Sequence, residues 1–311
     1  MKRLERVTEL NREAMECARV QWNRIAKPLH SFGALEEDIV RLAGVFGTAD
    51  VRLKKRAVVV MCADHGVVEE GVTQSGSEVT EIVAAAMARG NGNINCLGDV
   101  YRAEVIPVDI GMVGEVIEKG PLQCKIAHGT GNIAKGAAMT REQAEAALKI
   151  GMDVVKQCKD KGFDILVTGE MGIGNTTPAS AIAAVLLGEE VEKVTGRGAG
   201  LDKEGLQRKY RAVSQAIEVN RFARLYRERK GGKKQMIGRD CMLDLLSGLG
   251  GYDIAGMAGL FLGGAVYRLP VVIDGFISAV AAAAAVGICP AAGCCWAAAG
   301  AGAGVGAGAA L

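Results

Sequence analysis

The segment TGEMGIGNTTPAS, residues 168–180, places one carboxylate directly before a glycine-rich turn. Glu170 is followed by Gly172, Gly174 and Asn175. Glycines let a backbone approach a ligand closely, and a turn that leads into a helix presents N–H groups and the positive end of the helix dipole to an anion. The segment therefore predicts a proton-accepting carboxylate beside an anion-binding turn. A plain turn with a helix cap explains the same residues equally well.

The two threonines of this segment predict where the following helix begins. Thr176 or Thr177 can cap it, with Pro178 at its first position, where the missing N–H costs nothing. The turn is not a P-loop, because no GK[ST] follows it, and it lacks the spacing of the GxGxxG dinucleotide fingerprint. This difference argues against a dinucleotide-binding oxidoreductase.

A second glycine cluster, GRGAGL at residues 196–201, also suits a phosphate. Its glycines allow close approach, and Arg197 supplies positive charge. Asp202 is expected to cap the helix that follows, and that helix carries Lys209. A third cluster, HGTGNI at residues 128–133, is a weaker candidate that could be only a turn.

Other chemistries find little support in the sequence. His65 in ADHG has no second ligand at metal-binding spacing, and the GxSxG nucleophile motif does not occur. The nine cysteines include no CxxC pair, which favours free thiols in a reducing cytosol over disulfides or a zinc site. The sequence therefore predicts no metal site.

Four buried strands are predicted, in AVVVMCADHG, EVIPVDIG, FDILVTGE and RLPVVIDGF. They end at Asp64, Asp109, Glu170 and Asp274, each beside a glycine. Helical patterns alternate with the strands, which predicts an α/β fold with a parallel sheet between helices. Ligands bind beyond the carboxyl ends of such strands, so we expect the four acids to gather at one site. Alternatively, Asp and Gly follow strands simply because turns need them.

Apolar periodicity predicts helices over residues 3–26, 34–46, 79–89, 141–159, 178–188, 203–226 and 253–266. Thr140 and Gln143 form a capping box at the start of one of them. Pro28 ends the first, because the residue before a proline disfavours helix. The basic, glycine-containing residues 228–238 are interpreted as a solvated loop.

The overall charge is nearly balanced, with 37 Lys and Arg against 35 Asp and Glu, and no basic run is interleaved with aromatics. This composition argues against a nucleic-acid-binding surface. The charged N-terminus lacks the apolar region of a signal peptide. No charged residue follows Asp274, and residues 279–311 are mostly Ala and Gly. These residues are only weakly apolar, so we expect a disordered or poorly packed tail, or an out-of-frame translation, rather than a membrane anchor.

Seven segments, in this order, resemble the nicotinate-nucleotide:dimethylbenzimidazole phosphoribosyltransferase family. They are KPLHSFGALE (27–36), CADHGVVEEGV (62–72), VDIGM (108–112), HGTGNIAKGAAMTREQA (128–144), TGEMGIGNTTPASAI (168–182), GRGAGLDKEGLQRK (196–209) and DGFISA (274–279). The resemblance implies an α/β fold with a parallel Rossmann-like sheet flanked by helices and a small helical domain, which the family builds from both termini and for which we expect only the N-terminal share here. It also implies a cytoplasmic homodimer that needs no cofactor and binds neither nucleic acid nor membrane.

The resemblance further implies a reaction that belongs to cobalamin synthesis. Phosphoribose moves from nicotinate mononucleotide to a nitrogen of 5,6-dimethylbenzimidazole, which yields α-ribazole 5′-phosphate and nicotinate. Glu170 then contacts the acceptor base and can take its N–H, while Lys209 and the GRGAG cluster bind the phosphate. The substrate-binding residues that the resemblance implies are Asp64, Thr80, Met171, Gly172, Gly174, Asn175, Gly196, Arg197, Gly198, Gly200, Lys209 and Asp274.

Two departures from the family pattern bear on these expectations. Residues 73–82 begin TQSGSEVT where the family usually has Tyr-Pro, which leaves the acceptor preference open. Residues 279–311 match neither the family's Ser-His…Glu segment nor its Arg-Leu-Gly-Glu-Gly-x-Gly motif, so no residue is assigned as the base found there. We divide the chain into N-terminal helices of the small domain (1–48), an α/β catalytic domain (49–278) and an aberrant tail (279–311). A truncated homologue that binds nucleotide or base without turnover is the alternative function.

Overall fold

A parallel β-sheet forms the centre of the protein. The structure is a computed structural model that describes residues 4–5, 7–116, 120–232 and 237–298. Within these residues the sheet has six strands, all parallel to their neighbours. They are β1 Arg56–Ala63, β2 Ala103–Gly111, β3 Leu122–Gln123, β4 Ile165–Met171, β5 Val271–Ile273 and β6 Trp296–Ala298. The four strands expected from the sequence are confirmed as β1, β2, β4 and β5.

The strand order is β3-β2-β1-β4-β5-β6, so the sheet grows in opposite directions from the central pair β1 and β4. In register, Glu170 of β4 lies opposite Met61 of β1, and Met171 lies opposite Cys62. The carboxyl ends of the two central strands therefore lie side by side. A doubly wound sheet opens a crevice at such a reversal point.

Helices cover the sheet, and most of them follow the periodicity of the sequence. Residues 34–46 are helical as expected, and the Thr140–Gln143 capping box is present. The described helices are α1 Arg12–Arg24, α2 Ala34–Phe46, α3 Glu78–Ala88, α4 Asn93–Tyr101, α5 Arg141–Asp160, α6 Thr176–Leu187, α7 Val191–Val194, α8 Lys203–Val219, α9 Ala223–Lys230, α10 Arg239–Leu249, α11 Tyr252–Tyr267 and α12 Gly275–Ile288.

Two helix predictions were wrong in extent. The first helix starts only at Arg12, because Asn11 caps it by accepting a hydrogen bond from the Ala14 N–H at 2.9 Å. The helix expected over 203–226 is broken between α8 and α9, where Arg221 has a positive φ of 64°. Part of the basic loop expected at 228–238 is helical, since α9 runs to Lys230, and residues 233–236 lie outside the described residues.

The N-terminal helices α1 and α2 pack against each other around a small core of their own. Ala18, Val40 and Ala43 are its buried members. The Arg268 guanidinium at the end of α11 joins this pair to the main domain, since it donates hydrogen bonds to the carbonyl oxygens of Val45, Gly44 and Glu9. The division of the chain into a small N-terminal helical domain and a catalytic domain stays a prediction.

The expectation of a disordered or poorly packed tail is wrong for residues 279–298. Helix α12 runs across the expected boundary at residue 279, and Ala281, Ala284 and Ala285 are fully buried. The chain then forms a 3-10 helix, Pro290–Cys295, and adds β6 beside β5. Small side chains allow close packing, so a run rich in Ala and Gly can form core. The rest of the expected tail, 299–311, lies outside the described residues.

Helix α11 is buried almost along its whole length and packs tightly against α5. Glycines make this contact possible, because an added Cβ on Gly151 would lie 2.1 Å from the Gly256 carbonyl oxygen. A Cβ on Gly259 would lie 2.2 Å from the Leu148 carbonyl oxygen. The two backbones therefore touch directly. Among the described residues, every helix is too short or too polar to span a bilayer.

This contact predicts that Gly259→Ala destabilises the fold. A helical Ala gains about 1 kcal/mol over Gly, whereas overpacking against rigid backbone costs typically about 1–3 kcal/mol and sometimes more. We expect a net loss in the free energy of urea unfolding. Gly136→Ala is the matched control, because its Cβ would meet nothing within 4 Å and its φ is not positive. Equal stability of the two variants would contradict the packing argument.

Candidate active site

The candidate site lies where β1 and β4 end, at the reversal point of the sheet. Asp64 and His65 follow β1 directly, and Glu170 and Met171 are the last two residues of β4. Glu170 therefore belongs to a rigid strand, as its predicted position at the end of a strand requires. The strand holds its backbone in register with Met61, which leaves only the side chain to be positioned.

Glu170 is partly exposed and bonded on one side. Its Oε2 accepts a hydrogen bond from the Asn175 side-chain amide. Burial raises the pKa of the Glu170 carboxyl, the Asn175 hydrogen bond opposes that shift, and the neighbouring charges of Asp253 and Asp274 raise the pKa further. A carboxyl with a raised pKa is a better proton acceptor than one held at its ordinary value.

The Asn175 amide connects Glu170 to a buried ion pair. Asn175 Nδ2 also donates to Asp253 Oδ2 at 3.0 Å, and Asp253 Oδ1 lies 3.2 Å from His65 Nε2. Asp253 and His65 are 0% and 2% exposed. Burial alone lowers the pKa of His65, but the carboxylates around it, Asp253 above all, raise the pKa above its ordinary value. The pair is therefore a buried imidazole facing a carboxylate, and the surrounding acids favour its protonated form.

The glycines of residues 168–180 make room for this pair. A Cβ on Gly172 would lie 2.4 Å from the Ala63 carbonyl oxygen and 3.1 Å from Asp253 Oδ2. Gly174 has a φ of 97°, and its Cβ would lie 3.4 Å from His65 Cβ. Both glycines are buried. Their described neighbours are protein groups, so their expected substrate contacts stay a prediction.

Helix α6 begins differently from the sequence expectation. Asn175 occupies the cap position instead of Thr176 or Thr177, and Pro178 is the third helical residue rather than the first. The first four N–H groups of a helix have no partner within it, so proline is tolerated there too. The Asn175 side chain does not cap the helix, because its N–H groups face Glu170 and Asp253.

The next residue, Thr176, contacts a buried lysine on the other side of the helix start. Lys209 of α8 donates from Nζ to Thr176 Oγ1 at 2.7 Å and to the Gly196 carbonyl oxygen at 3.1 Å. Lys209 is 0% exposed, and burial lowers its pKa to about 8. Among the described residues, no carboxylate lies within ion-pair distance of this ammonium group.

The GRGAG cluster forms an exposed loop over Lys209. Gly196, Arg197, Gly198 and Gly200 are all exposed, and a Cβ on Gly198 would lie 3.4 Å from Lys209 Nζ. Asp202 caps α8 as expected, since its Oδ1 accepts from the Gly205 N–H at 2.7 Å. The loop therefore leads from solvent to a buried cation.

The remaining strand-end acids do not all join Glu170. Asp109 lies within β2, where it is fully buried and pairs with Lys125 at 3.2 Å, so it serves the structure. Asp274 is exposed before α12, and its N–H donates to Ser278 Oγ at 3.2 Å. The gathering of four acids was therefore wrong for Asp109, whose charge the lysine already matches.

Asp64 and Thr80 are buried rather than exposed at the surface of the site. Asp64 is 1% exposed, and its Oδ2 accepts from the Val113 N–H at 2.8 Å. Burial raises the pKa of Asp64 more than the hydrogen bonds from Thr80 and Val113 lower it. Thr80 is fully buried and accepts from the Ile173 N–H at 3.1 Å. Their expected contacts with substrate stay predictions.

The cluster at residues 128–133 supports the end of β1. The Thr130 N–H donates to the Asp64 carbonyl oxygen at 3.0 Å, and Thr130 Oγ1 accepts from the Gly66 N–H at 3.3 Å. These bonds agree with the simpler interpretation of the cluster as a turn. Within the described part of the chain, no three His, Cys, Asp or Glu residues are arranged to hold a metal ion.

Sequence reasoning missed Asp253 altogether. Its signal was present, because Asp253 is the one charged residue between Tyr252 and Tyr267 in an otherwise apolar helix. An acid in a helix that is apolar all round must be buried, and a buried carboxylate needs a partner. The partner, His65, lies 188 positions away, too far for any local pattern to reveal.

The unpaired Lys209 predicts that removing its charge does not destabilise the protein without ligand. Its lowered pKa means that the unfolded chain binds the proton more strongly than the folded one. The charge therefore costs stability in full below about pH 8, and this cost fades toward the ordinary lysine value of about 10.4. Lys209→Met keeps a similar apolar stem. By urea unfolding, we expect it to be at least as stable as wild type at pH 7, with a smaller advantage at pH 10. A marked loss at pH 7 would contradict this account.

Known proteins with similar sequences are described as phosphoribosyltransferases. A family model described as "Phosphoribosyltransferase" matches residues 7–311. The nicotinate-nucleotide–dimethylbenzimidazole phosphoribosyltransferase of Ruminiclostridium cellulolyticum is 43% identical over 284 residues, which cover 91% of this chain and 76% of the relative. The enzyme of the same name from Clostridium acetobutylicum is 42% identical with the same coverage.

A solved structure agrees with these relatives. CobT from Thermus thermophilus superposes with a TM-score of 0.81 at 38% identity, covering 92% of this chain and 81% of that one. The family model spans the elements that carry Glu170, Asp253 and Lys209. The chain belongs to the nicotinate-nucleotide–dimethylbenzimidazole phosphoribosyltransferase family.

Proposed function

We propose that this protein transfers phosphoribose from nicotinate mononucleotide to 5,6-dimethylbenzimidazole, giving α-ribazole 5′-phosphate and nicotinate for the nucleotide loop of cobalamin. One observation carries the proposal in a chain of this family. The adjacent residues Asn175 and Thr176, at the start of α6, contact a carboxylate on one side and a buried ammonium on the other. A proton acceptor and an anion site are thereby held by one helix end.

The phosphoribosyl transfer requires a group that accepts a proton from the incoming base. It does not require a group that protonates the leaving nicotinate. The pyridinium of nicotinate mononucleotide is already cationic, so its bond to ribose C1′ breaks with the electron pair going to the ring nitrogen. A benzimidazole nitrogen attacks C1′ as that bond breaks, and the acceptor's N–H proton must leave. Glu170 takes this proton, and its raised pKa makes the carboxylate a competent base.

The phosphate of the nucleotide supplies the negatively charged partner that the Lys209 ammonium lacks. An unpaired buried ammonium is unfavourable, and a dianionic phosphate in the loop above it turns that cost into binding energy. We assign contacts with the same phosphate to the exposed Arg197 and to the N–H groups of Gly196 and Gly198, while Gly200 lines the loop. The base and the phosphate therefore occupy opposite sides of the α6 start.

Other expectations from the resemblance keep their status as predictions. The homodimer and the cytoplasmic location are among them, as is the preference for one particular acceptor base. Glu170 is the carboxylate to which we assign the proton transfer, because it lies at the carboxyl end of β4 and its Oε1 is left free by the Asn175 hydrogen bond to Oε2. A homologue that binds nucleotide without turnover is the competing outcome.

The function is tested by nicotinate release. We expect the purified protein to release nicotinate from nicotinate mononucleotide when 5,6-dimethylbenzimidazole is present, and α-ribazole 5′-phosphate to appear in equal amount. Chromatography of both products measures the two yields. Binding of nicotinate mononucleotide with no release in the presence of the base would support the non-catalytic alternative instead.

Two substitutions should separate the role of Glu170 in proton transfer from the role of Lys209 in phosphate binding. Glu170→Gln is isosteric but cannot accept a proton, so kcat should fall by about 10²–10⁴-fold with the KM for nicotinate mononucleotide unchanged. Lys209→Met should mainly raise that KM, because it removes a phosphate contact made before and during the reaction. Steady-state kinetics on both variants checks the split. An unchanged kcat in Glu170→Gln would refute the assigned base.

A further inference from the structure

A line of polar side chains runs from Glu170 into the interior, beyond what the transfer reaction itself requires. Asn175 comes next, at 5% exposure, followed by Asp253 and His65. None of the three opens toward solvent in the way Glu170 does. Keeping an ion pair and an amide buried is costly unless each group is matched by a partner. Because burying these groups is costly, we expect them to have a role at the site.

The Asn175 amide determines which oxygen of Glu170 can carry a proton. An amide nitrogen donates two hydrogens and accepts none, and here both go to carboxylates, Glu170 Oε2 and Asp253 Oδ2. Turning the amide round would face its oxygen toward two acceptors, so this orientation is the favourable one. Glu170 Oε2 must then stay unprotonated. Oε1 is left as the oxygen that receives a proton.

His65 supplies the charge that lets two carboxylates share one amide. Without it, Asp253 and Glu170 would repel each other through Asn175. His65 Nε2 lies 3.2 Å from Asp253 Oδ1, so a protonated ring makes the inner pair neutral overall, and the Ile254 N–H at the start of α11 also donates to Asp253 at 2.8 Å. The other charged groups that act on this region are Asp64 and Asp274.

The backbone is shaped around this pair independently of the hydrogen bonds. A Cβ on Gly251, just before α11, would lie 2.2 Å from His65 Cε1 and 2.7 Å from Asp253 Oδ1. Gly172 closes the opposite side, with its Cβ 3.2 Å from His65 Nε2. Two glycines from separate elements therefore enclose the imidazole and the carboxylate. A side chain at Gly251 would therefore displace the pair.

We propose that the His65–Asp253 ion pair, acting through Asn175, is a positioning device that holds Glu170 with Oε2 bonded and Oε1 aimed at the N–H of the acceptor base. His65, Asp253 and Asn175 touch neither substrate in this account, and they act through Glu170. The proposal rests on the proposed function, because it assigns Glu170 a proton to receive. It deepens that function by naming the groups that set the direction of the transfer.

The test uses the full chain with His65→Gln, Asp253→Asn and the double variant. His65→Gln leaves the Asp253 charge unmatched, which should make Glu170 harder to ionise. The acid limb of kcat/KM for 5,6-dimethylbenzimidazole should then move up by on the order of 1 pH unit. Misplacing Glu170 should also lower kcat by roughly 10–100-fold, while the KM for nicotinate mononucleotide stays the same. The double variant removes the unmatched charge and should return the acid limb to its wild-type position.

A role of the pair in folding alone would not move the pH profile in this way. If His65→Gln lowers activity with an unshifted acid limb, or if the double variant keeps the shift, the proposal is overturned. A variant that does not fold is replaced by a measurement on wild type. There, ¹⁵N shifts of the His65 ring at pH 7 should report protons on both nitrogens, and a neutral ring would overturn the proposal.

A binding experiment distinguishes failure of the proposed function from failure of the positioning proposal. The affinity for 5,6-dimethylbenzimidazole is measured by calorimetry across pH for wild type, Glu170→Gln and His65→Gln. If wild type binds with a pH dependence that Glu170→Gln abolishes but releases no nicotinate, the proposed function fails alone. The positioning device is then judged by whether His65→Gln shifts that binding midpoint upward.

Discussion

The buried ion pair between His65 and Asp253 is the constraint around which the site is arranged. It joins the end of β1 to the start of α11, and the Asn175 amide joins it to the end of β4. Breaking such a pair by removing one partner typically costs about 3–5 kcal/mol, because the other charge stays buried. The geometry at the reversal point of the sheet therefore depends on this contact, and the glycines that look like a ligand cradle are needed to admit it.

The same burial has opposite consequences for the two functional groups beside α6. Glu170 becomes easier to protonate, which suits a base that must accept a proton from a neutral heterocycle. Lys209 becomes easier to deprotonate, yet two hydrogen bonds hold it in place for an anion. One helix start therefore contacts both groups, Glu170 through Asn175 and Lys209 through Thr176. An ion pair between Lys209 and Glu170 would leave neither group available to substrate.

The part of the chain rich in alanine and glycine shows how weak composition is as evidence for disorder. Residues 279–288 have no charge and little side-chain volume, yet they complete α12 within the core. Small side chains let this helix approach α10, where a Cβ on Gly287 would lie 2.4 Å from the Met242 side chain. Packing against neighbours, which no local composition reveals, makes the segment part of the fold.

Local sequence was enough to predict the parallel α/β class, the four main strands, most helix positions and the family. Those properties follow from periodicity, capping residues and contiguous motifs, all of which depend on residues close together in the sequence. Tertiary packing was needed to show that Asp109 pairs with Lys125, that the Asn175 amide bonds to Glu170 and Asp253 instead of capping α6, and that His65 contacts Asp253. Each of these depends on which side chains meet when separate elements pack together. An unmatched buried charge can be anticipated from sequence, but its partner is chosen by packing.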